Sequence, residues 1–150
     1  MKMDEKEKSS VKDKRNKVLP AKKKPLQKTH QASKQKEELY KTVFNSCPCG
    51  ILITTFDQKI IDANESLLKM LGGYTLEELR KLSFQKLTPK KWHKKYENSL
   101  KIIMKKRPGT FSNEFIRKDG TFVSVLMTCS IINDKKGKQV NICNFVEETA

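Results

Sequence analysis

Across residues 111–132, apolar and polar side chains alternate in two runs that meet at Asp119-Gly120. Alternation with a period of two marks a strand with one buried face, and Asp-Gly between β-branched and aromatic residues signals a two-residue hairpin turn. A third run, residues 139–146, follows the loop Asp134-Lys-Lys-Gly137. Three consecutive antiparallel strands are predicted, with one face that earlier parts of the chain must cover. Val123, Val125, Met127, Cys129 and Ile131 share one parity, and Val140 and Ile142 can pair with them, so this face is taken as the inner one. Asn144 continues the parity of Val140 and Ile142. A buried amide there must be hydrogen-bonded to protein, water or a ligand.

Upstream the period changes. Leu39, Tyr40, Val43 and Phe44 fall on one side of a helix over residues 37–46, which Pro48 and Gly50 end. Residues 50–56 read as a strand, Asp57-Gln58 as a turn and residues 59–63 as its partner. Asn64 stands at the start of a short helix closed by Gly72-Gly73, where its side chain can accept the free N–H groups of the first turn. Thr75-Leu-Glu-Glu78 has the order of a capping box, with Glu78 reaching back to Thr75. Thr88-Pro89 is expected to open a longer helix, to about residue 106, whose stripe is Trp92, Tyr96, Leu100 and Ile103. Strands on either side of a helical insert indicate an α+β domain with one antiparallel sheet and helices on one face.

Charge changes this picture only at the N-terminus. Of the formal +15, residues 1–36 contribute +9, from thirteen Lys or Arg against four acids. With Val11, Val18, Leu19 and Leu26 as its sizeable aliphatics, this segment buries too little apolar surface to offset the entropy of ordering. It is expected to be a disordered basic tail, residues 1–36, preceding a domain over residues 37–150. The clusters Lys12-Asp-Lys-Arg-Asn-Lys17 and Lys22-Lys-Lys-Pro25 suit nucleic acid, anionic lipid or an import receptor, or serve only as a solubilising leader. No window has the roughly 20 apolar residues of a membrane span, and no signal-peptide core is visible. The expectation is a cytoplasmic protein, or a nuclear one in a eukaryotic cell.

The pieces Gly50-Ile-Leu-Ile, Ile60-Ile-Asp-Ala-Asn64, Leu71-Gly-Gly-Tyr74 with Thr75-Leu-Glu-Glu-Leu79, and Ile116-Arg-Lys-Asp-Gly120 follow one another in an order and spacing that resembles a PAS domain with its C-terminal PAC half. The resemblance covers everything beyond the tail. It implies a five-stranded antiparallel sheet in the order 2-1-5-4-3, with helices enclosing a pocket against the inner face. The candidate lining is Ile53, Leu68, Leu71, Trp92, Tyr96, Phe115, Val125, Met127, Ile142 and Asn144. It also implies a non-catalytic sensory module that binds a small ligand, a protein partner or a second copy of itself, through the leading helix and the outer sheet face. The chain departs from the pattern at Gln58, where the family often has Gly, and stops where an effector module would usually be attached. A second reading makes the tail the working part, a nucleic-acid binder with the domain as its dimerising scaffold.

Candidate cofactor chemistry is sparse. His93, in the run His93-Lys-Lys-Tyr96, is similar to the axial ligand of haem-binding oxygen-sensor PAS domains, and neutral imidazole is a competent iron ligand. An edge histidine exposed to solvent is the competing reading. The flavin relatives that sense light need a reactive cysteine in the helical insert, and residues 65–106 have none, so that photoadduct is expected to be excluded. Cys47-Pro-Cys49 lacks the spacing of a zinc site, and Cys129 and Cys143 read as small hydrophobes, all four being expected as thiols. Neither a catalytic triad nor a phosphate-binding glycine loop can be assembled. The ligand, if any, stays open.

Overall fold

The computed structural model describes residues 19–105 and 108–149. The cluster at residues 12–17 lies outside them, as do Lys106 and Arg107. By contacts the chain divides into two compact units, residues 1–42 and residues 43–150.

The helix that ends before the domain, α1, runs Leu19–Ser46. It therefore begins well inside the segment expected to be disordered, and its N-terminal half is rich in Lys, Gln and Ala, which all favour helix. The second unit follows as β1 (Gly50–Thr54), β2 (Ile60–Ala63), α2 (Glu65–Met70), α3 (Leu76–Arg80), α4 (Phe84–Leu87), a 3₁₀ turn at Lys90–Trp92, α5 (His93–Ile103), β3 (Gly109–Ile116), β4 (Phe122–Asn133) and β5 (Gln139–Glu148). The sheet is antiparallel in the order β2-β1-β5-β4-β3.

Local chemistry explains the helix boundaries. Thr75 and Glu78 form the expected capping box at the start of α3. The helix α4 was not foreseen; Ser83 caps it by accepting from the Lys86 N–H. Thr88 consequently closes α4, its hydroxyl donating to the Phe84 carbonyl at 3.0 Å, and does not open the longer helix. That helix starts at His93 after the 3₁₀ turn.

All three hairpins use one design, a three-residue loop whose last residue has positive φ. Main-chain bonds close Thr55 against Lys59, Arg117 against Thr121 and Asp134 against Lys138. The left-handed position is taken by Gln58 (φ 71°), Gly120 (φ 88°) and Gly137 (φ 84°). Asp119-Gly120 thus makes the hairpin, but not as a two-residue primed turn. Asp119 keeps a negative φ, and its carboxylate accepts from the Thr121 N–H and hydroxyl at 2.9 and 2.6 Å.

Asn64 does more than cap. Fully buried, its Oδ1 accepts from the N–H groups of Leu67 (3.1 Å) and Ile51 (2.8 Å), and its Nδ2 donates to the carbonyls of Phe44 (2.8 Å) and Cys49 (3.0 Å). One side chain ties the end of α1, the start of β1 and the first turn of α2. At Gly50 beside it there is little room for a side chain, since a Cβ there would fall 2.8 Å from Leu67 Cδ1, 3.1 Å from its Cβ and 3.3 Å from its Cα.

Candidate functional site

The inner face of the sheet is laid down by strand pairing. Ile142 lies between Thr54 and Ile131, Asn144 between Leu52 and Cys129, and Met127 between Val146 and Phe111. Helices α2 to α5 cover it with Leu67, Leu71, Leu79, Phe84, Leu87, Tyr96 and Ile103. Phe84 stacks on Tyr96 with ring centroids 4.2 Å apart and meets Phe115 edge-on at 5.6 Å. This is a dense apolar core, as its side-chain volumes and burial require.

Three oxygens break that apolar character. Asn144 is fully buried, and its Nδ2 donates to the Leu52 carbonyl at 2.9 Å, which fixes the amide so that Oδ1 points away as an acceptor. Among the described residues Asn144 Oδ1, Thr54 Oγ1 and Tyr96 Oη all lack a hydrogen-bond partner. Thr54 and Asn144 are diagonal neighbours across β1 and β5. The Tyr96 hydroxyl comes near enough to Thr54 for the latter to act on its acidity, yet the two fall outside hydrogen-bond geometry. Burial raises the Tyr96 phenol well above its ordinary value, with the Cys129 thiol adding to the rise. Burial, with a smaller contribution from Cys143, also pushes Cys129 up to about 12. Every ionisable group here is therefore neutral at physiological pH. A buried polar atom left unpaired costs about 1–3 kcal/mol.

The structure brings Leu71, Tyr96, Phe115, Val125, Met127 and Ile142 together in the core, with Asn144 among them and Leu68 packed at its margin. Trp92 stands at the rim, its Nε1 donating to Glu114 Oε1 at 2.9 Å, where Lys91 also reaches that carboxylate. Ile53 is a correction. It pairs with Asp62 and Cys143, on the opposite parity to Leu52 and Thr54, and so belongs to the outer face. Thr54 went unseen because a threonine in a strand carries no signal of its own. Asn113 was missed too; it is buried on β3, its Nδ2 3.4 Å from Met127 Sδ. Its parity with Phe115 could have found it.

His93 is also reassigned. Its Nε2 lies 2.9 Å from the Gln85 carbonyl and 2.8 Å from the Thr88 carbonyl. A ring nitrogen between two carbonyl oxygens carries the proton, so Nε2 donates and offers no lone pair to iron. Space agrees with this. The cavity walled by Trp92, Tyr96, Ser99, Asn113 and Met127 has about 10 Å³, room for one water, against roughly 300–1,000 Å³ for a small-molecule site. A wider cleft of about 360 Å³ opens between Ile103, Pro108, Ile131 and Gln139, but its lining contains none of the three unpaired oxygens.

A five-stranded sheet in this order, roofed on one face by short helices around a largely apolar interior, defines a sensory domain of signalling proteins. The sequence model of the PAS domain family matches residues 48–150, and the chain belongs to that family. The sensor histidine kinase TmoS of Ectopseudomonas mendocina is 22% identical over 125 residues, 82% of this chain but 13% of that protein. Among solved structures, the PAS domain of an HTR-like protein from Haloarcula marismortui superposes with a TM-score of 0.71 at 15% identity, covering 82% of this chain and 99% of that one. The Rhodobacter sphaeroides LOV protein gives a TM-score of 0.64 at 14% identity, over 78% of this chain and 68% of that one. These structural likenesses show the fold. The described helices include none long and apolar enough to cross a membrane.

Proposed function

We propose that the chain is a non-catalytic sensory module whose core takes up a small, neutral, polar ligand. The observation that carries this reading is the trio of unpaired buried oxygens, Thr54 Oγ1, Tyr96 Oη and Asn144 Oδ1. Their surroundings are largely apolar, with no partner in hydrogen-bond geometry among the described residues, and a polar occupant would supply one. It must bring a donor for Asn144 Oδ1 and can exchange either role with the two hydroxyls. The small volume beside Tyr96 means that uptake displaces side chains of α5 or β3. A shift of packed elements on binding is how such a domain would report occupancy. Native mass spectrometry of the full chain, purified from its own cell, tests this: a bound small molecule is expected, and its loss in Tyr96→Phe. An empty protein that takes up no small polar compound from a library would overturn the reading.

A second reading, association with a protein partner or a second copy, rests on Phe122 and Phe145. Both are large, apolar, 54% and 39% exposed, and on the outer face of β4 and β5. Sedimentation at two concentrations distinguishes a self-associating chain from a monomer. The nucleic-acid reading rests on the charge of residues 1–36 alone, and a salt-dependent shift with DNA or RNA would be needed to raise it.

A further inference from the structure

We propose that Cys47 and Cys49 form a reversible dithiol–disulfide site on the link between α1 and β1. The two Sγ atoms are 3.2 Å apart, and both residues are partly exposed. Their backbone is held on every side. The Cys47 N–H donates to the Val43 carbonyl at 3.2 Å, the Ser66 hydroxyl donates to the Cys47 carbonyl at 2.6 Å, and Asn64 Nδ2 donates to the Cys49 carbonyl at 3.0 Å. Bringing two thiols together normally costs chain entropy, and here the fold has already met that cost. Cys129 and Cys143 are not so placed, since they lie on opposite faces of the sheet.

The reaction is thiol–disulfide exchange with a small disulfide as oxidant. The Cys47 thiolate attacks one sulfur of the oxidant, forming a mixed disulfide and expelling one thiolate. The Cys49 thiolate then attacks Cys47 Sγ, closing the intramolecular bond and expelling the second. Two protein thiols are oxidised and one disulfide is reduced to two thiols. Burial, then the contact with Cys47, pushes the Cys49 thiol up to about 11, which disfavours Cys49 as the first attacking thiolate. Capture of Cys47 removes that contact. Glu147 on β5 is the other charged group that raises Cys49.

The test incubates the full chain with oxidised glutathione, blocks free thiols with an alkylating agent, and weighs the tryptic peptide spanning residues 42–59. The expected product is lighter by two hydrogens and carries no alkyl group. Dithiothreitol reverses it, it is unchanged in Cys129→Ser and Cys143→Ser, and it is abolished in Cys47→Ser and in Cys49→Ser. A persistent glutathione adduct, a disulfide-linked dimer, or two alkylated cysteines in the native chain would each overturn the proposal. Because these are read on the wild-type chain, a serine variant that fails to fold leaves the outcome decided.

Discussion

Gln58 occupies in the first hairpin the position that Gly120 occupies in the third-to-fourth strand hairpin, both with positive φ, 71° and 88°. A side chain in the left-handed region carries a steric cost that glycine avoids. Gln58→Gly is therefore expected to stabilise the domain by about 0.5–1 kcal/mol, seen as a higher urea midpoint with an unchanged slope. A lower midpoint would mean that the half-buried glutamine stem contributes more packing than its backbone costs.

Asn64 joins three elements with four hydrogen bonds from one fully buried amide. Removing it strands two N–H groups and two carbonyls. Asn64→Ala is expected to cost about 3–5 kcal/mol in chemical denaturation. A loss below about 1 kcal/mol would show that water replaces the amide and that the junction is open to solvent.

The unpaired hydroxyls give opposite effects on stability and on binding. Tyr96→Phe and Thr54→Val each remove a buried oxygen without a partner, so the empty protein should hold its stability or gain about 1 kcal/mol. Ligand uptake should fall in the same variants. A variant that loses stability while still binding would place the occupant elsewhere.

Four carboxyls, those of Asp57, Glu78, Glu114 and Asp119, are held below their ordinary range. Asp57 is lowered first by the Thr55 hydroxyl, Glu78 by the Thr75 N–H and then Lys118, Glu114 by Trp92 and then Lys91, and Asp119 by the Thr121 hydroxyl. A carboxyl with a depressed folded-state pKa contributes stability that is complete above its unfolded value, about pH 4, and is lost as pH falls through the folded one. The urea midpoint should accordingly be level down to about pH 5 and decline towards pH 2.5. A midpoint that rises over that interval would contradict these pairings.

Most of the architecture was legible because its signals are local. The capping box at Thr75 and Glu78, the Asn64 cap and the two glycine-bearing hairpins are each written in a few adjacent residues, and the inward parity of Asn144 follows from the strand around it. Phase in β1 was not legible. Ile51, Leu52 and Ile53 are all apolar, so the pattern does not say which points inward; pairing of Leu52 with Asn144 decides it, and that is a contact between residues distant in sequence. The same limit hid Thr54, whose role exists only because Tyr96 is brought to it from α5. His93 was left between an edge position and a ligand by its sequence context, because the carbonyls that accept from its Nε2, those of Gln85 and Thr88, belong to the unforeseen α4 and its C-cap.

The most direct measurement is the electron density between Thr54 Oγ1, Tyr96 Oη and Asn144 Oδ1 in high-resolution crystals of the chain purified from its own cell. A bound small molecule within hydrogen-bond distance of at least two of these oxygens is the expected result. Closed apolar packing with all three still unpaired would contradict the assignment of this core as the sensing site.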